Sequence, residues 1–113
     1  MPYIKTTTNV SVSADKEQII KQKLGKAIEL IPGKSERWLM LSINPDVKRY
    51  FHGDDDKMAF VEVSIFGKAS PHNYQAMTSE ITKILVEELE IESDNIYVKY
   101  EESSYWGWNG SNF

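Results

Sequence analysis

Apolar positions along the chain recur with period two in four short runs and with a period near 3.6 in two longer ones, and their order predicts the architecture. Pro2–Thr8 sets Ile4, Thr6 and Thr8 against Tyr3, Lys5 and Thr7 and is rich in β-branched residues, so it predicts a strand. Ser13 is a helix N-cap with Asp15 and Glu17 behind it. Ile20, Leu24, Ala27, Ile28 and Ile31 then return at helical spacing until Pro32 and Gly33 end the pattern. Trp38–Ile43 is a nearly continuous apolar strand stopped by Pro45. A polar connection, Asp46–Lys57, leads to Met58–Phe66, the strongest strand of the chain. Ser70 and Pro71 are the cap and first residue of a second helix carrying Tyr74, Met77, Ile81, Ile84, Leu85 and Leu89 on one face. Asp94–Glu101 predicts a last strand, followed by the short aromatic tail SSYWGWNGSNF.

Two successive β-α-β units, with helices of about 20 residues each, imply one α+β domain over residues 1–113: a four-stranded sheet with both helices on one face. In Met58–Phe66, Ala59, Val61, Val63 and Ile65 supply one face, but Met58, Phe60 and Phe66 make the other apolar as well. That outer face predicts a cover, and a symmetric oligomer is the most economical one.

Composition narrows the chemistry. A net charge of −4 gives no electrostatic reason to bind nucleic acid or an anionic membrane surface. The absence of cysteine removes disulfides, thiolate metal sites and a thiol nucleophile together. No apolar run has signal-peptide or membrane-span length, so the cytoplasm is the default compartment, with export by a route that needs no signal peptide left open. His52 and His72 lack a partner at metal-ligand spacing, and Asp54–Asp56 lacks the glycine and glutamate of a calcium loop. No metal or cofactor is expected.

Several features in fixed order carry a resemblance: proline directly after Met1, Asn9-Val10 after the first strand, Gly33-Lys34 after the first helix, Ser64–Lys68 (SIFGK), Asn95-Ile96-Tyr97-Val98, and the terminal GWNGSNF. Together they are similar to the macrophage migration inhibitory factor family of the tautomerase superfamily. The resemblance implies a homotrimer, which would cover the open sheet face, and keto-enol tautomerisation of small aromatic α-keto acids of the phenylpyruvate type. It implies Pro2 as catalytic base, because once Met1 is removed the ring nitrogen is a secondary amine with an unperturbed pKa of roughly 8. Lys34 then faces the substrate carboxylate, and Phe66, where isoleucine is usual, offers its backbone N–H to the same group. Tyr97 comes from the neighbouring subunit, while Tyr3, Trp38, Trp106 and Phe113 line an aromatic pocket.

The sequence also departs from the family pattern. Lys99 stands in place of an asparagine from the neighbouring subunit, putting a second cation at the pocket unless it points to solvent. Met58-Ala59-Phe60-Val61 replaces a CxxC motif, and the tail before Trp106 is about two residues shorter. A competing reading makes the chain a cytokine-like ligand of a cell-surface receptor, with the pocket incidental. Without the resemblance, Pro2 is merely the residue after the start methionine, Lys34 a cation near a helix C-terminus and Lys99 an exposed strand lysine.

Overall fold

A computed structural model describes residues 1–113. The elements follow as β1 (Pro2–Thr8), α1 (Ala14–Ala27), β2 (Met40–Asn44), β3 (Ala59–Phe66), α2 (Pro71–Leu89), β4 (Ile96–Ser103), β5 (Gly107–Trp108) and β6 (Ser111–Asn112). The main sheet has the order β2-β1-β3-β4, with β1 parallel to β2, β3 parallel to β4, and β1 antiparallel to β3. Each half is a β-α-β unit, and the two meet where β1 lies against β3.

Side-chain alternation directs the packing. Ala59, Val61, Val63 and Ile65 of β3 and Ile4 of β1 point to the helices, where they join Ile20 and Leu24 of α1 and Met77, Ile81, Ile84 and Leu85 of α2 in one core. Each such large side chain contributes about 1.5–3 kcal/mol by leaving water. Both helices start as the sequence predicts. Ser13 accepts from the Lys16 N–H at 3.2 Å, and Ser70 forms a reciprocal capping box with Asn73 ahead of Pro71.

Several boundaries move. The first helix is 14 residues long rather than about 20, because Ile28–Leu30 tightens into a 3₁₀ turn that keeps Ile28 and Ile31 in the core. Trp38 does not open a strand: Glu36–Trp38 is a 3₁₀ turn whose bonds are local, Trp38 N–H to Ser35 O at 3.2 Å and Leu39 N–H to Glu36 O at 3.1 Å. Hydropathy makes Trp38-Leu39 resemble the start of a strand, yet Trp38 is 37% exposed and β2 begins only at Met40. At the other end of the fold, Asp94 lies in a 3₁₀ turn and β4 runs on to Ser103. The tail folds as a β5-β6 hairpin, since Asn109 and Gly110 both take the positive φ (54° and 81°) that a two-residue hairpin turn requires.

The outer sheet face differs most from expectation. Register groups its side chains into three rows across β2, β1, β3 and β4: Met40, Tyr3, Ser64, Glu101; then Ser42, Lys5, Glu62, Lys99; then Asn44, Thr7, Phe60, Tyr97. The middle row is polar, with Glu62 between two lysines, and Met58 is buried rather than displayed. The apolar end of the face already has a local cover. Residues 46–57 bring Phe51 within 4.8 Å of the Tyr97 ring and Arg49 over Phe60. Asn9 clamps this segment, donating to Asp55 O and Asp56 O at 3.1 and 2.9 Å and accepting from the Met58 N–H at 2.9 Å. No helix is long and apolar enough to cross a membrane.

Candidate active site

Pro2 is buried at the start of β1, opposite Ile65, and its nitrogen is the amide that joins it to Met1. Met1 occupies the corner where three predicted residues meet. Its carbonyl accepts the Phe66 N–H at 3.0 Å, and Lys34 Nζ donates to the Phe66 carbonyl at 2.9 Å. Burial first, then the charge of Lys34 and a hydrogen bond from it, pull the Met1 amine from its ordinary value of 8.0 down to about 6. The turn that delivers Lys34 depends on Gly33, whose φ of +80° suits a residue without Cβ. The arrangement thus sets a weakly basic amine, an ammonium and a backbone donor around one point.

Aromatic rings wall this corner. Trp38 and Trp108 meet edge to face at 5.0 Å, Phe66 lies 5.5 Å from Phe113, and Phe113 stacks nearly parallel to Trp108 at 6.4 Å. Two cavities flank the Trp38–Trp108 pair: a larger one of about 910 Å³ lined by Pro2, Tyr3, Met40 and Trp106, and a smaller one of about 380 Å³ lined by Gly33, Phe66 and Phe113. Met1, Trp38 and Trp108 border both. Tyr3 is held by a 3.0 Å hydrogen bond between its hydroxyl and Ser42 Oγ.

Seven of the predicted residues therefore converge: Pro2, Tyr3, Lys34, Trp38, Phe66, Trp106 and Phe113. Tyr97 and Lys99 do not. Tyr97 pairs with Phe60 and Pro2 with Ile65, so they lie near opposite ends of β3, about 17 Å apart along the strand. Lys99 does not enter the pocket of its own chain. Its ammonium turns along the outer face to Glu101 Oε1 at 2.9 Å and stays more than half exposed, because residues two apart on a strand share a face.

The structure adds Met1, Arg37 and Trp108 to the site. Trp108 had a usable sequence signal, since Asn109-Gly110 predicts a hairpin that folds the tail back; the Phe113 N–H closes it on Trp106 O at 3.0 Å. Arg37 had none, being one charged residue in a polar connection.

The family model described as macrophage migration inhibitory factor (MIF) matches residues 1–113. The chain belongs to the macrophage migration inhibitory factor family. Among solved MIF structures it is similar to Leishmania major MIF2, at 29% identity over 100% of this chain and 97% of that one, with a TM-score of 0.93. The MIF homologue of Prochlorococcus marinus is also 29% identical, covers 98% of each chain and has a TM-score of 0.87. The MIF-like protein of Entamoeba histolytica, 20% identical with a TM-score of 0.88 over 99% of this chain and 98% of that one, shares the MIF fold. No curated protein sequence matches the chain.

Proposed function

We infer that the protein is a keto-enol tautomerase of phenylpyruvate-type α-keto acids, working as a homotrimer with the N-terminal amine of Pro2 as base and acid once Met1 is removed. The observation that carries this reading is the placement of Met1 itself. Cleaving the Met1–Pro2 bond turns a non-basic amide nitrogen into a secondary amine and releases the Phe66 N–H from the Met1 carbonyl, beside the Lys34 ammonium. A substrate carboxylate at that point would exchange one acceptor for a stronger, charged one. The keto oxygen and the carbon that exchanges its proton then lie toward Pro2, and the aryl ring packs on Trp38 and Trp108.

In enolisation the amine takes a proton from the carbon next to the keto group while the keto oxygen gains one from solvent; in the reverse direction the enol hydroxyl gives up its proton as the protonated amine returns one to carbon, so no external oxidant or reductant is needed. Its basicity follows from the corner. Burial and Lys34 disfavour a charged amine at Met1, and the same two causes would lower a Pro2 amine from the ordinary α-amino value towards a neutral base.

The test is ultraviolet observation of phenylpyruvate tautomerisation by protein whose intact mass shows Met1 absent, beside Pro2→Gly. A large loss of rate in Pro2→Gly is expected, and equal rates in the two proteins would sink the base assignment. The receptor-ligand alternative predicts that the Pro2 exchange leaves the cellular response unchanged.

A further inference from the structure

The larger cavity measures about 910 Å³ in the single chain, near the top of the ~300–1,000 Å³ range of drug-sized ligand sites; a neighbouring subunit on the outer sheet face would narrow it on the Tyr3 and Met40 side, away from Arg37. Three charged side chains border it: Arg37, Glu101 and Glu102. Both carboxylates are engaged elsewhere. Glu101 Oε1 is paired with Lys99 Nζ at 2.9 Å. Glu102 Oε2 accepts the Tyr74 hydroxyl at 2.6 Å and the Ala69 N–H at 3.4 Å. Arg37 has no ion pair and no side-chain hydrogen bond; its guanidinium carbon sits 5.2 Å from the Trp38 ring centroid. Stacking of this kind restrains the planar fork while leaving its N–H groups available in the ring plane. Arg37 borders the larger cavity and not the smaller one that holds Gly33 and Phe66, so it is a second cationic position, separate from the Lys34 corner.

We propose that Arg37 is a specificity-determining residue that receives a second anionic group, so that the preferred substrates are α-keto acids bearing a carboxylate or similar anion at the end remote from the keto acid. The proposal rests on the tautomerase reading for the orientation of the keto acid, with its own carboxylate at Lys34 and Phe66. The aryl body then spans the Trp38–Trp108 wall, and the remote anion meets the guanidinium fork in a bidentate contact that Lys34, already bonded to the Phe66 carbonyl, cannot supply.

Protein lacking Met1 is assayed with phenylpyruvate and with 4-carboxyphenylpyruvate, as wild type, Arg37→Met and Arg37→Lys. In Arg37→Met the ratio of kcat/KM for the dianion over the monoanion should fall about five- to tenfold, chiefly through KM, as loss of one charge-assisted contact at an exposed site implies. Arg37→Lys should recover part of the ratio, and high salt should compress it in the wild type. A ratio in Arg37→Met within twofold of the wild type overturns the proposal. A second arm needs no turnover: tryptophan fluorescence titrations with cinnamate and 4-carboxycinnamate should show the dianion's advantage in the wild type and its loss in Arg37→Met. Should neither keto acid be turned over by the wild type, the tautomerase reading fails while this titration still decides on Arg37, and equal affinity for the two acids in the wild type overturns the assignment.

Discussion

Replacing Lys34 by methionine separates a structural lysine from one that sets the basicity of the corner. The substitution keeps the length of the side chain but removes the ammonium that donates to the Phe66 carbonyl at 2.9 Å. A hydrogen bond from a charged group contributes about 1.5–3 kcal/mol, and the half-buried position lowers that to about 1–2. For a domain of this size the loss corresponds to a Tm lower by about 4–8 °C. In chain that retains Met1, the exchange also removes the second and third causes that depress its amine and leaves only burial, so its pKa rises from about 6 towards 8.0.

The linkage has a definite sign. Between pH 6 and 8 the unfolded amine binds a proton that the folded one does not, so wild-type stability is highest above pH 8 and declines as pH falls to about 6. A two-unit shift corresponds to about 2.7 kcal/mol at most, which solvent screening of this largely exposed amine reduces to about 1. Lys34→Met flattens this decline, and the stability gap between wild type and variant narrows from pH 9 to pH 6. Urea melts across that range, with amine titration followed in ¹⁵N-methionine-labelled protein, measure both effects. A constant gap together with an unmoved amine pKa would refute the coupling and leave Lys34 as a tether for Phe66. In protein without Met1, the same coupling moves the acidic limb of the pH–rate profile to higher pH in the variant.

Burial, with the hydrogen bond to Glu102 second, pushes the Tyr74 hydroxyl from 10.0 up to about 12; folded Tyr74 keeps its proton between those values while the unfolded chain releases it, so stability falls as pH rises through that window. Burial also raises the Tyr100 hydroxyl, so ultraviolet titration at alkaline pH should show late-ionising tyrosines whose number falls by one in Tyr74→Phe, and an unchanged titration would contradict the assignment. Ile81→Ala, at a position with 0% exposure between α2 and the sheet, should cost about 2–5 kcal/mol in urea unfolding; a loss below 1 kcal/mol would mean that the core collapses around the deletion.

The fold was largely legible because local and global signals agree. Period-two runs became β1 and β3, the 3.6 period became α1 and α2, and the capping residues Ser13 and Ser70 stand where the helices begin. The errors cluster where hydropathy and hydrogen bonding part. Trp38 is apolar and half-exposed because it lines a cavity, a role that reads as a strand if apolarity is taken for burial. The outer sheet face looks more apolar in sequence than it is for a related reason: Phe60 and Phe66 stand out in the pattern, whereas Lys5, Glu62 and Lys99 form a row only after pairing brings β1, β3 and β4 together. Cross-strand neighbours are not neighbours in sequence, so the polarity of that face is a property of register.

Sheet register also governs how the site is completed. Composition and spacing identify neither Pro2 nor Lys34, and the resemblance did; the structure joins them through a third group, the Phe66 backbone, whose donor is occupied by Met1. Tyr97 shows where one chain stops. Five residue steps along β3 separate its partner Phe60 from Ile65, the partner of Pro2, and no side-chain rotation crosses the resulting gap of about 17 Å. If Tyr97 acts on a substrate at Pro2, it must act on the Pro2 of another copy. That requirement comes from sheet geometry rather than from an apolar face in need of cover, and it ties activity to assembly. Dilution or an interface substitution that separates the subunits should then remove turnover while leaving the Lys34–Phe66 corner folded, and size-exclusion chromatography beside the tautomerase assay would detect an active monomer that breaks the link.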